Sequence, residues 1–143
     1  MSSNGSRSPD FNKLFNDSYE RIMARGSEAF YRRFYDHFIA ASPEVAKAFA
    51  NTDMARQYDM LSLSLMQIMS FASDRRSNPY IEKIANLHAR LNISSELFGL
   101  WAQCLIATVR EMDDHYDAHV ELAWRVTIAP GLEFMRAYCE LAE

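Results

Sequence analysis

Apolar side chains recur every three or four positions along most of this 143-residue chain, and no other feature restricts its possible folds as strongly. Such spacing gives a helix one apolar face. The clearest stripe consists of Met54, Tyr58, Leu61, Leu65, Ile68, Met69 and Ala72. Helix breakers are few, since the chain has 4 glycines and 4 prolines. The sequence therefore predicts an all-α protein.

Polar breaks divide this pattern into seven or eight helices. The residues that we expect to cap helix starts are Ser8-Pro9, Ser27, Ser42-Pro43, Asn51-Thr52-Asp53, Asn78-Pro79 and Ser94. The last helix is predicted from about Ala118 to Leu141, with a kink near Pro130, because the apolar pattern resumes in register after it. Many short capped helices favour steep crossings of roughly 50° over a plain bundle. Residues 1–8 are expected to be a disordered tail and residues 9–143 one domain.

Charge and hydropathy exclude two classes of partner. The net charge is -4 and no stripe of lysine or arginine is present, so a nucleic-acid partner is not expected. No apolar run approaches the ~20 residues that a membrane helix needs. The N-terminus has no signal-peptide core, so the predicted location is cytoplasmic. Cys104 and Cys139 lie in helical patterns and are expected to be small core residues.

Histidine carries the main chemical signal. His88 lies near the end of a short helical pattern, and a histidine that points from a helix into apolar surroundings can be an axial ligand of haem iron. An ordinary core histidine is the alternative. His115 and His119 are four apart beside three aspartates, but a solvated turn is favoured there over a metal site.

Four segments together resemble bacterial globins, most closely the globin domain of flavohaemoglobins and single-domain bacterial haemoglobins. They are residues 34–49 (FYDHFIAASPEVAKAF), 57–61 (QYDML), 81–88 (IEKIANLH) and 105–113 (LIATVREMD), the last followed by Ala123-Trp124. Their order and spacing extend the resemblance over about residues 15–138. It implies a globin-like fold of seven to eight helices around a haem pocket.

The resemblance also implies roles for individual residues. His88 would be the proximal iron ligand, with its Nδ1–H held by the carbonyl of Ile84. Tyr35 and Gln57 would donate hydrogen bonds to a gas ligand on the opposite, distal side, where Leu61 would crowd the sixth coordination position. A shift of one residue in the match would exchange Gln57 and Tyr58. The further residues expected to contact haem are Phe49, Tyr58, Leu65, Leu87, Arg90, Asn92, Ile93 and Phe98.

One departure from flavohaemoglobins affects the expected chemistry. Those proteins carry a tyrosine and a glutamate that polarise the proximal histidine. Phe98 stands at the tyrosine position here, and the glutamate position falls near Leu141, although Glu140 is adjacent. Without that relay the histidine would donate less electron density to iron. This weakens the expectation of peroxidase-like or efficient dioxygenase activity.

The function that the resemblance implies is reversible binding of O2, NO or CO at iron in non-covalent haem b, since the chain has no C-x-x-C-H motif for covalent attachment. Oxygen transport and NO detoxification with an external reductase are both open, in a monomer or homodimer. The alternatives are a gas sensor domain that signals to a partner and a haem-free globin-fold sensor.

Overall fold

The computed structural model describes residues 8–142, which form seven α-helices. Their bounds are α1 Phe11–Ala24, α2 Ser27–Ala41, α3 Pro43–Ala48, α4 Met54–Asp74, α5 Pro79–Arg90, α6 Glu96–Met112 and α7 Ala118–Leu141. The all-α prediction of seven to eight helices is confirmed. Apart from Ser8, the predicted disordered tail lies outside the described residues. None of the helices in residues 8–142 is both long and apolar enough to span a bilayer.

Helix α7 is the central element of the packing. It contacts α1, α4, α5 and α6, while α2 packs against α6, α3 and α4. α4 and α5 also contact each other. Helices α2 and α4 therefore pack against each other, and α4 and α5 both pack against α7. The elements that hold the predicted site residues are therefore fixed through α7 and through their own contacts.

The buried apolar residues form two separate hydrophobic clusters. The first includes Tyr35, Leu61 and Leu65 and extends to α1, α6 and α7. The second consists of Ile81, Ala85, Phe98, Met135 and Cys139. Leu132 of α7 packs against both clusters. Cys104 and Cys139 are both buried, in the first and second cluster respectively, as predicted for core cysteines.

Three of the predicted helix starts are confirmed by capping hydrogen bonds. The Ser42 side chain accepts from the backbone N–H of Val45, and the Asp53 carboxylate accepts from two N–H groups of the first turn of α4. Asn78 accepts from the N–H groups of Tyr80 and Ile81 at the start of α5. In each case the cap satisfies backbone donors that have no partner within the helix.

Three predicted caps are wrong by one or two residues. Asp10, not Ser8, caps α1, because its carboxylate reaches the N–H of Lys13. Gly26, not Ser27, precedes α2, and its φ of 116° is a conformation that favours glycine. Before α6, the Ser94 carbonyl accepts from Leu97 in a tight turn, so the helix begins after Ser95.

Helix α7 continues through Pro130 without a break, as the resumed apolar pattern predicted. The angle of the predicted kink stays a prediction. The adjoining residue, Gly131, is buried where α7 meets α4. A Cβ atom at Gly131 would lie 3.1 Å from Cγ1 of Ile68, so the two helices approach closely here because position 131 has no side chain.

A buried polar network ties α1 to the corner between α6 and α7. Asp113 accepts hydrogen bonds from Ser18 Oγ at 2.6 Å, from Arg21 Nε at 2.7 Å and from the His115 backbone N–H at 2.9 Å. The Trp124 indole N–H donates to Ser18 Oγ at 2.9 Å. Residues 113–117 were expected to be a polar corner, yet Asp113 is only 3% exposed. His115 and His119 are exposed.

Candidate functional site

Tyr35 and Gln57 meet where α2 packs against α4. Gln57 Nε2 donates a hydrogen bond to Tyr35 Oη at 2.9 Å. Tyr35 is 4% exposed, while Gln57 is half-buried. Since the phenol oxygen accepts from the amide, the phenol proton remains available for another acceptor. The structure thus brings together the two polar residues that the sequence predicted for one site.

The environment of Tyr35 keeps its hydroxyl protonated. Burial raises the pKa of Tyr35 to about 12, and the hydrogen bond from Gln57 acts in the opposite direction without cancelling that effect. The phenol is therefore a hydrogen-bond donor at every pH at which the protein is expected to work.

Aromatic rings surround Tyr35 on two sides. The Phe49 ring meets it at an edge, with ring centroids 5.4 Å apart, and the Tyr58 ring stacks on it at 5.9 Å. Gln57 and Tyr58 thus both contact Tyr35, the former through its amide and the latter through its ring. Leu61 and Leu65, one and two turns further along α4, are almost fully buried.

His88 lies in the last turn of α5, with its ring orientation fixed by its own helix. Its Nδ1 is 2.7 Å from the carbonyl oxygen of Ile84, the acceptor predicted from the sequence. A carbonyl only accepts, so in the neutral ring Nδ1 carries the proton and Nε2 carries the lone pair. Within residues 8–142 no side chain or backbone group is hydrogen-bonded to Nε2. The half-buried ring lies 5.8 Å from that of Phe98.

The other predicted haem contacts lie around the end of α5. Leu87 is 41% exposed, and Arg90 and Asn92 are exposed as well. Asn92 takes a left-handed conformation, with φ of 53°, directly after the helix. Ile93 packs against the second hydrophobic cluster. These residues form an open, partly apolar edge next to His88.

Sequence reasoning missed one aromatic residue in the set that surrounds Tyr35, namely Tyr31. The Tyr31 ring lies 6.3 Å from that of Tyr58, so Tyr58 contacts both Tyr31 and Tyr35. Tyr31 and Tyr35 are four positions apart on α2 and share a helical face. The spacing of four could have indicated that Tyr31 and Tyr35 lie side by side. It could not indicate that Tyr58 of α4 contacts the two of them.

Two comparisons with known proteins, one of sequence and one of structure, both point to globins. The sequence model of the globin family matches residues 32–130. A crystal structure of a protein from Pseudomonas aeruginosa PAO1, described as structurally highly homologous to a human haemoglobin, is similar over 90% of this chain and 98% of its own. The identity is 32% and the TM-score is 0.82. No curated protein sequence matches this chain significantly.

Proposed function

This chain belongs to the globin family, and on that premise we propose that it binds haem b non-covalently through His88 and a diatomic gas on the opposite side. O2 is the proposed main ligand, with NO and CO as further ligands. The observation that carries the proposal is the pairing of two features: a histidine whose Nε2 is unoccupied, and a buried phenol with a proton to donate. The cytoplasmic location is part of the same proposal.

The state of His88 fits an iron ligand. Iron binds the neutral imidazole nitrogen that carries the lone pair, and the other nitrogen is usually held by a hydrogen bond to a carbonyl or carboxylate. The contact from Nδ1 to Ile84 O provides that arrangement within one turn of α5. A merely structural histidine of the core would be expected to use both ring nitrogens or to hide the second among apolar atoms.

The division of the core also fits a flat apolar group. The distal residues Tyr35 and Leu61 belong to the first hydrophobic cluster, whereas Phe98, which contacts His88, belongs to the second. We propose that haem would be held where these clusters meet, with Leu61 of the first cluster and Phe98 of the second among the residues that would contact it. Arg90 at the exposed edge would be available to the haem propionates.

Haem iron would supply the open coordination position at which the gas binds. Around that position Tyr35 would donate a hydrogen bond to the gas, and Gln57 would hold the phenol oxygen so that its proton points away from the amide. Phe49 would exclude water, and the buried Leu61 would limit the size of the ligand. These residues would surround the gas with apolar side chains and a single directed donor.

The proximal contacts favour reversible binding over turnover of NO. His88 is held by a neutral backbone carbonyl and packs on Phe98, and Glu140 forms an ion pair with Arg136. None of these contacts would give the imidazole the anionic character that supports oxidative chemistry. NO dioxygenation would in addition require an external reductase.

An absorption spectrum tests the proposal. Purified protein is titrated with haemin, reduced and exposed to CO, in parallel with His88→Ala. We expect a strong Soret band that shifts with CO and that weakens greatly in the variant. His115→Ala, a change at an exposed histidine outside the site, is the matched control and should behave as the unmodified protein. No Soret band with added haemin would refute haem binding and favour a haem-free sensor.

A further inference from the structure

Three tyrosines form a continuous series of ring contacts that begins at the candidate gas site. The Tyr35 and Tyr58 rings stack with centroids 5.9 Å apart and planes 28° apart. The Tyr58 and Tyr31 rings are 6.3 Å apart with planes at 34°. Tyr31 and Tyr35 belong to α2, and Tyr58 of α4 contacts both. We refer to these three residues as the tyrosine row.

The members of the tyrosine row differ in their access to water. Tyr35 is 4% exposed and Tyr31 is 7% exposed, whereas Tyr58 is only half-buried. Tyr58 is therefore the member through which the row meets solvent. One end of the row lies at the candidate gas site and its central member reaches the surface.

Proton transfer favours oxidation of Tyr58 over Tyr35. A phenol that loses an electron becomes a strong acid and must give its proton to a base. The Tyr35 oxygen already accepts from Gln57, and in residues 8–142 no hydrogen-bond acceptor for the Tyr35 proton is found. Water can take the proton of Tyr58. An oxidising equivalent on Tyr35 would therefore move to its stacked neighbour.

We propose that the tyrosine row carries oxidising equivalents away from the haem site to Tyr58 when a hydroperoxide reacts there, which protects the haem and its pocket. This inference rests on the proposed function. The hydroperoxide takes up two electrons and two protons as its O–O bond breaks, so hydrogen peroxide yields two waters. Tyr58 passes these on one at a time: its O–H group loses one electron and one proton and becomes a phenoxyl radical, a one-electron reductant in solution returns one electron and one proton, and the same step then repeats.

The direction of transfer follows from the chemistry of phenols. A phenol gives up an electron only to a strong oxidant, so the tyrosine row cannot pass the weakly oxidising equivalents of a flavin or thiol system. Its role is confined to the discharge of strong oxidants. Reductants in solution can then repair Tyr58 at the surface without entering the pocket.

The test is to locate the radical. Haem-loaded protein receives one equivalent of hydrogen peroxide in the presence of a nitroso spin trap, and the trapped residues are mapped by peptide mass spectrometry. We expect several-fold more label on Tyr58 than on Tyr80, although Tyr80 is 59% exposed and lies outside the row. In Tyr58→Phe the total label should fall several-fold, and repeated additions of peroxide should bleach the Soret band faster.

Tyr80→Phe is the matched control and should match the unmodified protein in both measurements. Equal labelling of Tyr80 and Tyr58 would overturn the inference, and so would a Tyr58→Phe variant that bleaches at the unmodified rate. Either result with normal haem loading leaves the proposed function in place. A protein that takes up no haemin would overturn both.

Discussion

Tyr35 and Asp113 are both buried polar residues, but their hydrogen bonds leave different atoms free. The Tyr35 oxygen accepts from Gln57 and its proton is not used within the described chain. Asp113 receives donors at both carboxylate oxygens, from Ser18, Arg21 and His115. A buried group with a spare donor indicates a binding site, whereas a fully satisfied carboxylate indicates a structural tie.

At Tyr35 we expect the substitution to phenylalanine to speed O2 release. The change removes one buried donor to a ligand that carries partial negative charge, an interaction worth about 1.5–3 kcal/mol. The dissociation rate should therefore rise roughly 10- to 100-fold. Stopped-flow displacement of O2 by CO measures it. Tyr138→Phe, a change at a tyrosine that packs against the second hydrophobic cluster, should leave the rate unchanged. An unchanged rate in Tyr35→Phe would remove this residue from the site.

Asp113→Asn should destabilise the fold at neutral pH. An amide in place of the carboxylate turns an N–H group towards Arg21 or Ser18, which are themselves donors, and leaves one of them unpaired. We expect a loss of about 1–3 kcal/mol in the free energy of unfolding, measured with urea. Asp114→Asn is the control, since that side chain is 79% exposed and should change stability by less than about 0.5 kcal/mol.

The difference in unfolding free energy between the unmodified protein and Asp113→Asn should depend on pH. Burial acts to raise the pKa of Asp113, but hydrogen bonds from Arg21, Ser18 and the His115 backbone outweigh it and hold the pKa below its ordinary value. A carboxyl with a lowered folded-state pKa stabilises the fold above its unfolded pKa of about 3.9, and this contribution is lost as the pH falls through the folded value. The gap between unmodified protein and Asp113→Asn should thus narrow below about pH 4, and a constant gap would contradict the assignment.

At the scale of elements, the crossing of α4 and α7 depends on Gly131. A Cβ there would lie 3.1 Å from Cγ1 of Ile68, which is closer than an ordinary contact, so the Ile68 side chain must shift, whereas the Ile68 Cα at 3.5 Å would be in ordinary contact. Gly99 of α6 provides a contrast, because a Cβ there would meet nothing within 4 Å. Both glycines lie within helices, where glycine is less favourable than alanine, but only Gly131 has a neighbour that a Cβ would meet.

Replacement of each glycine by alanine should therefore separate the two effects. Gly99→Ala should stabilise the protein by about 0.5–1 kcal/mol, the usual gain of alanine within a helix. Gly131→Ala gains the same propensity but overpacks the crossing, so it should be less stable than Gly99→Ala by about 1–3 kcal/mol. Urea unfolding of both variants gives the comparison. Equal stability would show that α4 shifts freely against α7.

Helix starts show where sequence reasoning succeeds and where it fails. Ser42, Asp53 and Asn78 were predicted correctly because the capping side chain and its backbone donors lie within three residues of each other. At α2 and α6 the predicted serines, Ser27 and Ser94, are not the capping residues, which are Gly26 and Ser95. There the backbone geometry of Gly26, and of the turn before Ser95, set the start, and a list of capping propensities does not contain that geometry.

At the scale of the whole molecule, haem should stabilise the fold. A ligand that binds the folded chain alone contributes about 2.7 kcal/mol at 100 times its dissociation constant. We expect haemin to raise the melting temperature of the unmodified protein, because it would join the two hydrophobic clusters and engage His88. The rise should be much smaller in His88→Ala. Equal shifts in both proteins would indicate non-specific binding of haemin.

The predictable part of the molecule follows from local chemistry. Helix type and order follow from apolar spacing, and the contact of His88 with Ile84 spans four residues of one helix. The pairing of Tyr35 with Gln57 came from family resemblance, since 22 positions separate them. The bond between Ser18 and Asp113 spans 95 positions, and no local pattern predicts it. Contacts between distant helices are set by packing that a single sequence does not display.

The central place of α7 has a consequence for synthesis on the ribosome. α1, α4, α5 and α6 all pack against a helix that leaves the exit tunnel after every one of them. Until residues 118–141 emerge, the apolar faces of α1, α4 and α5 lack their main partner, and Ser18 has no contact with the indole of Trp124, 106 positions later. These helices can therefore complete their packing only after residues 118–141 have left the ribosome, and until then their apolar faces are open to aggregation.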